Sequence, residues 1–121
     1  MSKNVLVVDD SPSVRMIVRS ALHGAGYTVI EAADGKEALA KLDGRAISLT
    51  ICDLNMPHVN GFEFVQAAKA LSAYKFMPVL MLTTETNDAK KDQGRAAGAR
   101  AWMVKPFSPS QLIKAVDKLC T

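Results

Sequence analysis

Short β-rich runs alternate with segments of helical period from one end of the chain to the other, and nothing else in the sequence narrows the fold so far. Residues 4–8 (NVLVV) read as a strand, and Ser11-Pro12 then supplies an N-cap with proline at the first helical position. Val14, Ile17, Val18, Ala21 and Leu22 repeat at helical spacing as one apolar stripe, which Gly24 or Gly26 ends. A second strand over residues 27–31 leads to a helix that starts at Asp34, with Glu37 placed as a capping-box partner. Its apolar face is Ala38, Leu39 and Leu42, and Gly44 stops it. Residues 47–52 form the third strand, and the helix after it carries Phe64, Val65, Ala68 and Leu71. Residues 79–82 and 101–104 are the fourth and fifth strands, with an Ala-rich helix between them that ends near Gly98. The last helix opens with Ser108-Pro109-Ser110-Gln111, a cap, a proline and a capping-box glutamine, and buries Leu112, Val116 and Leu119.

Five strands each followed by a helix, with continuous apolar runs in the first, third and fourth, imply an α/β protein whose parallel sheet is covered on both faces. Right-handed crossovers leave few topologies, and ligands of such sheets bind beyond the carboxyl ends of the strands, where strand order reverses. No linker, repeat or low-complexity tract interrupts the 121 residues, so residues 1–121 read as one domain. Hydrophobic residues at 49% and charged ones at 22% exclude a disordered or fibrous chain. Fifteen basic residues are interleaved with twelve acidic ones to give +3, with no single-sign run that would indicate nucleic acid as a partner. The longest apolar stretch, residues 76–82, is broken by Pro78 and too short for a bilayer, and the first residues hold too brief an apolar run for a secretory signal. The expected location is the cytoplasm, where Cys52 and Cys120, lacking metal-ligand spacing, stay reduced.

The residues that end the strands carry the chemistry. They are Asp9-Asp10, Asp53, Thr83-Thr84 and Lys105-Pro106, and a parallel sheet projects all of them from one edge. Three carboxylates and one ammonium sum to about −2, a repulsion of several kcal/mol at intermediate dielectric that a divalent cation relieves. Oxygen ligands without His or Cys select a hard ion, and few carboxylates with room for water and phosphate oxygens favour Mg²⁺. A cation beside a carboxylate, with a lysine and a hydroxyl aimed at the same point, suits phosphoryl transfer with an aspartate as nucleophile. Asp53 then stands at a strand tip so that it is open to in-line attack, while Asn55 and the turn containing Pro57 and Gly61 aim a backbone carbonyl at the metal. Each residue also has a plainer reading. Asp10 suits a helix start, Lys105 a surface and Thr83 a strand end. Trp102 suits the core by size, and His23 and His58 show no catalytic or metal pattern.

VLVVDDS, DLNMPHVNG, LTTE and WMVKPF, in this order and spacing, resemble the receiver domain of bacterial two-component response regulators over the whole chain. The stretch around Asp53 is especially similar to the single-domain chemotaxis regulators of that family. The resemblance implies a flavodoxin-like (βα)5 fold with strand order 2-1-3-4-5, an order taken from those chemotaxis regulators themselves. It implies Asp53 as phosphoacceptor, and Mg²⁺ held by Asp10, Asp53 and the Asn55 carbonyl, with Asp9 reaching it mainly through water. It also implies Lys105 paired with the phosphoryl group, Thr83 hydrogen-bonded to a phosphoryl oxygen, and a cis Lys105-Pro106 peptide. Trp102 takes the place of the switch aromatic, which chemotaxis members more often fill with tyrosine, and Asn55 and Glu85 lie near the water path of self-dephosphorylation.

The helix after the fourth strand offers the core mainly Ala89, Ala96 and Ala97, less apolar area than the Val, Ile and Leu of the first and last helices, so it should be the most weakly anchored. It follows Thr83 and precedes Trp102. The face of helix four, strand five and helix five, with Lys90, Lys91, Arg95, Lys114 and Lys118, is the expected output surface. The leading expectation is a monomeric, stand-alone switch with no output domain. It would receive phosphate from a histidine kinase and bind a target protein, by resemblance a flagellar motor switch protein, with neither nucleic acid nor membrane as partner. It would be no enzyme beyond its own phosphorylation and dephosphorylation. A phosphorelay intermediate that passes phosphate to a histidine phosphotransfer protein is the rival. An aspartate-nucleophile phosphatase of the haloacid dehalogenase type would need a second acid two residues after its nucleophile at the end of strand one. Asp9-Asp10-Ser11-Pro12 does not supply that, and no glycine-rich nucleotide loop is present.

Overall fold

The computed structural model describes residues 3–120. In chain order its elements are β1 (Asn4–Val8), α1 (Pro12–Gly24), β2 (Thr28–Ala32), α2 (Gly35–Lys41), β3 (Leu49–Cys52) and α3 (Gly61–Lys69). A 3₁₀ turn (Ser72–Tyr74), β4 (Val79–Thr83), α4 (Asp88–Ala97), β5 (Ala101–Val104) and α5 (Pro109–Leu119) complete it. All pairings in the sheet are parallel, and the order is β2-β1-β3-β4-β5, as expected.

The continuous apolar strands serve two cores, because successive side chains of a strand point to opposite faces. Leu6, Val8, Cys52, Val79 and Met81 pack with Phe62, Phe64, Val65 and Ala68 of α3 and with Ala38 and Leu42. Val5, Val7, Leu49, Ile51, Leu80 and Leu82 face the other way, onto Val18 and Leu22 of α1 and Leu112 and Val116 of α5. Each Val, Leu, Ile, Phe or Met among them, when fully buried, stabilises the fold by about 1.5–3 kcal/mol.

The helix starts agree with local chemistry. Ser11 caps α1 by accepting from the Val14 N–H, and Ser108 and Gln111 form the expected reciprocal box at α5. At α2, Asp34 accepts from the Glu37 N–H, but the Glu37 carboxylate accepts from Ala33 rather than from Asp34, one residue away from the expected box. Asn60 and Glu63 make a full box at α3 that the sequence reading did not single out.

Several expectations are corrected. β2 begins at Thr28, because the Tyr27 N–H closes the end of α1 on the Leu22 carbonyl. β3 begins at Leu49 rather than residue 47, since its ladder with β1 opens at the pair Val5 and Leu49. Leu71 lies beyond α3 and is 40% exposed, and Ile17, counted in the α1 stripe, is 49% exposed. Leu119 is only partly buried, against the α1 and α5 core. Ala89 and Ala96 are exposed and Ala97 is half-buried. The buried residue of α4 is instead Gly94, where a Cβ would stand 2.8 Å from Cζ3 of Trp102 and 3.2 Å from Cε1 of Phe62. The helix needs glycine there to lie flat on two aromatic rings.

Candidate functional site

The site is built by the final rungs of the sheet ladder. Backbone N–H groups of Asp9, Asp53 and Lys105 donate to the carbonyls of Ala32, Val8 and Thr83 at 3.1, 2.9 and 2.8 Å. Each residue is therefore tied to the neighbouring strand just as its own strand ends, and its side chain leaves at the common carboxyl edge. β1 and β3 are adjacent, and they sit where the strand order reverses, so Asp9 and Asp53 meet at the crevice this topology creates.

Lys105 bridges the two carboxylates, with Nζ 2.6 Å from Asp9 Oδ2 and 3.3 Å from Asp53 Oδ2. Asp9 and Asp53 are buried at 3% and 8% exposure, whereas Asp10 is exposed. Burial alone would lower the Lys105 pKa, but the hydrogen bond from Lys105 to Asp9 and the charges of both aspartates outweigh it and hold the ammonium above its ordinary value. One carboxylate oxygen from each of Asp9, Asp10 and Asp53 lies within 4.8 Å of the others, so the three could hold one cation. Their donor set, oxygen throughout, fits a hard divalent ion.

Further bonds fix the individual groups. Asp53 Oδ1 accepts from the Leu54 N–H at 2.7 Å, and Asp9 Oδ1 from the Ser11 N–H at 2.9 Å. The chain turns back sharply after Asp53, with the Gly61 N–H on the Leu54 carbonyl at 2.8 Å. A Cβ on Gly61 would come within 2.5 Å of the Asp53 carbonyl oxygen, so only glycine allows that return. Asn55 is exposed at the start of this loop, and His58 within it has φ 69°, the left-handed region. The Lys105-Pro106 peptide is cis, as the resemblance implied. Burial, followed by the charges of Asp53 and Asp9, drives the Cys52 thiol pKa upward.

Thr83 is fully buried at the end of β4, and its hydroxyl oxygen accepts from the Glu85 N–H at 3.4 Å. Trp102 stands apart from the carboxylates on β5. It is half-buried, its indole Nε1 donates to the Glu85 carbonyl at 3.0 Å, and its ring lies 6.5 Å from that of Phe62. Thr83 and Trp102 thus hold opposite sides of one short segment. Two participants escaped the sequence reading: Gly94, because a glycine inside a helix announces no contact, and Arg15, whose guanidinium Nη1 donates to the Asp9 carbonyl at 2.5 Å. An arginine in a first helical turn carries no sign that it reaches back to the preceding strand.

Comparison with known proteins agrees with this arrangement. The family model described as response regulator receiver domain matches residues 5–117. The crystal structure of chemotaxis protein CheY4 of Vibrio cholerae superposes with a TM-score of 0.94 at 50% identity, covering 98% of this chain and 99% of that one. Chemotaxis protein CheY1 of Helicobacter pylori is 41% identical over 115 residues, 93% of each chain. The alkaline phosphatase synthesis transcriptional regulatory protein PhoP of Bacillus subtilis is 38% identical over 120 residues, which are 96% of this chain and 49% of that protein. Five parallel strands in this order, an acidic crevice at the strand reversal and a family match across nearly every residue lead to one conclusion: the chain belongs to the receiver domains of two-component response regulators and is similar to the CheY-type chemotaxis proteins among them.

Proposed function

We propose that this protein, one receiver unit over residues 1–121, is a phosphorylation-activated switch that takes a phosphoryl group from a histidine kinase onto Asp53. The observation that carries the proposal is the Lys105 ammonium set between two buried carboxylates, with a third carboxylate within 4.8 Å. Asp10, Asp53 and the Asn55 carbonyl would hold Mg²⁺, with Asp9 bonded through water. When bound, the ion neutralises charge on the phosphoryl oxygens. An oxygen of the Asp53 carboxylate attacks phosphorus, the bond from phosphorus to the donor imidazole breaks, and the imidazole leaves with its electron pair and takes up a proton. Lys105 then pairs with the phosphoryl oxygens, and the Thr83 hydroxyl donates to one of them.

The same movement reaches Trp102. Turning the Thr83 hydroxyl toward phosphate weakens its 3.4 Å contact with the Glu85 N–H, and the Glu85 carbonyl is what anchors the indole at 3.0 Å. Released, Trp102 shifts across Gly94 of α4, on which its ring already lies. The altered face of α4, β5 and α5, where Lys90, Arg95, Lys114 and Lys118 are exposed, binds the target. Similarity to the chemotaxis proteins CheY1 and CheY4 supports chemotaxis as the pathway, and the target proposed within it is a flagellar motor switch protein. The protein acts as a cytoplasmic monomer, and among its described residues no helix is long and apolar enough to cross a membrane. It turns over no external substrate, and Asn55 and Glu85 flank the water that hydrolyses its own phosphate.

Incubation with a small acyl phosphate and Mg²⁺ should add the mass of one phosphoryl group, chelation of the metal should prevent it, and Asp53→Asn should abolish it. An Asp53→Asn protein that still gained phosphate would overturn the assignment.

A further inference from the structure

Asp9 and Asp10 leave the sheet on a short loop that is held at several points. The Asp9 N–H donates to Ala32, the Asp9 carboxylate accepts from Ser11 and Lys105, and the Ser11 carbonyl accepts from the Arg15 N–H at 3.1 Å. The peptide that joins Asp9 to Asp10 is gripped by a side chain instead, Arg15 Nη1 on the Asp9 carbonyl at 2.5 Å. The same guanidinium donates through Nε to Glu31 Oε1 on β2 at 3.2 Å, and Glu31 Oε2 accepts from Arg19 at 2.7 Å. The Arg15 side chain is only 17% exposed. A peptide is planar, so fixing its carbonyl fixes the direction in which the next residue leaves.

We infer that Arg15, braced by Glu31, is a positioning residue for the cation site: it holds the Asp9-Asp10 peptide so that the otherwise exposed Asp10 carboxylate meets those of Asp9 and Asp53. The inference rests on the function proposed above. A bare guanidinium beside the crevice would repel a divalent ion, but Glu31 offsets its charge and leaves the geometric grip. That grip needs the planar fork of arginine, which bonds the Glu31 carboxylate and the Asp9 carbonyl together. A lysine ammonium offers no such fixed pair of donors.

Calorimetric titration of Mg²⁺ into the unphosphorylated protein separates the roles. Arg15→Lys and Arg15→Gln should each weaken Mg²⁺ binding by about tenfold to a hundredfold, the usual loss when a group supporting a metal ligand is removed. Glu31→Gln should weaken it in the same direction. Arg19→Gln removes a partly exposed pair that meets the site only through Glu31 Oε2 and leaves the bond from Arg15 to Glu31 Oε1 in place, so it should leave the affinity within about twofold. The maximal rate of phosphorylation by a small acyl phosphate at saturating Mg²⁺ should be unchanged in Arg15→Lys, the pattern of lost binding rather than lost transition-state stabilisation. An Arg15→Lys protein that bound Mg²⁺ as tightly as the wild type, or lost thermal stability alone, would overturn the inference. Should the Arg15 variants fail to fold, unchanged affinity in Glu31→Gln overturns it equally. A wild-type protein that bound no Mg²⁺ would remove the functional reading and this inference with it, whereas normal wild-type behaviour beside unaffected variants removes this inference alone.

Discussion

Cys52 lies one residue before Asp53 with its side chain in the apolar core, where a thiolate is disfavoured. Burial first, and then the charges of Asp53 and Asp9, push its thiol pKa up. Tyr27 is raised in the same sense by burial and by its hydrogen bond to Asp117, and Lys105 is raised because its bonds to the aspartates outweigh burial. All three groups keep a proton in the folded chain that the unfolded chain releases sooner. Their stabilisation is therefore whole below the unfolded pKa values and is lost as pH climbs toward the folded ones. Urea unfolding should accordingly give a stability that declines once pH passes about 8.5, where an ordinary thiol titrates, and further above about 10. In Tyr27→Phe the limb above about pH 10 should be shallower, and an identical limb would show that Tyr27 plays no part in it. Thiol reagents should label Cys52 only as fast as the protein unfolds, because the reactive thiolate is suppressed.

At the scale of one element, α4 is the test of how this fold moves. α1 and α5 each bury two branched side chains, Val18 with Leu22 and Leu112 with Val116, whereas α4 buries only Gly94. Few apolar contacts mean a low local unfolding free energy. Amide hydrogens of α4 should exchange faster than those of α1 and α5, and equal protection would remove the weak helix from the mechanism. Gly94→Ala poses two opposed terms. Alanine favours a helix interior by about 1 kcal/mol, but forcing a methyl to within 2.8 Å of the Trp102 ring costs about 1–3 kcal/mol. Overpacking should win, lowering the melting temperature. The indole should also be displaced outward, giving a red-shifted emission that is easy to follow because Trp102 is the chain's lone tryptophan.

For the molecule as a whole, binding of the proposed Mg²⁺ would be linked to folding. A ligand that binds only the folded state at about 100 times its Kd adds roughly 2.7 kcal/mol, which for a chain of this size raises the melting temperature by about 10 °C. Mg²⁺ should therefore protect the wild type and protect Asp53→Asn less, as differential scanning calorimetry would record. The alternation of strands and helices was legible because period and capping residues act locally: Ser11, Ser108 and the NVLVV run each announce their element without help from the rest of the chain. The gathering of Asp9, Asp10, Asp53 and Lys105 followed from parallel topology, which sends every strand end to one edge. What escaped depended on tertiary fit. Gly94 matters only because two rings happen to lie against it, Arg15 only because Glu31 faces it across two elements, and Leu71 missed the core because α3 stops at Lys69.

The sheet keeps the two apolar interiors apart, and Trp102 belongs with the α2 and α3 side while α1 and α5 pack wholly on the other. A disturbance that starts at the indole can loosen one half while the opposite half goes on holding the strands in register. Such a partition lets the α4 flank be altered while the buried stripe of α5, Leu112 and Val116, stays with the scaffold that keeps the chain folded.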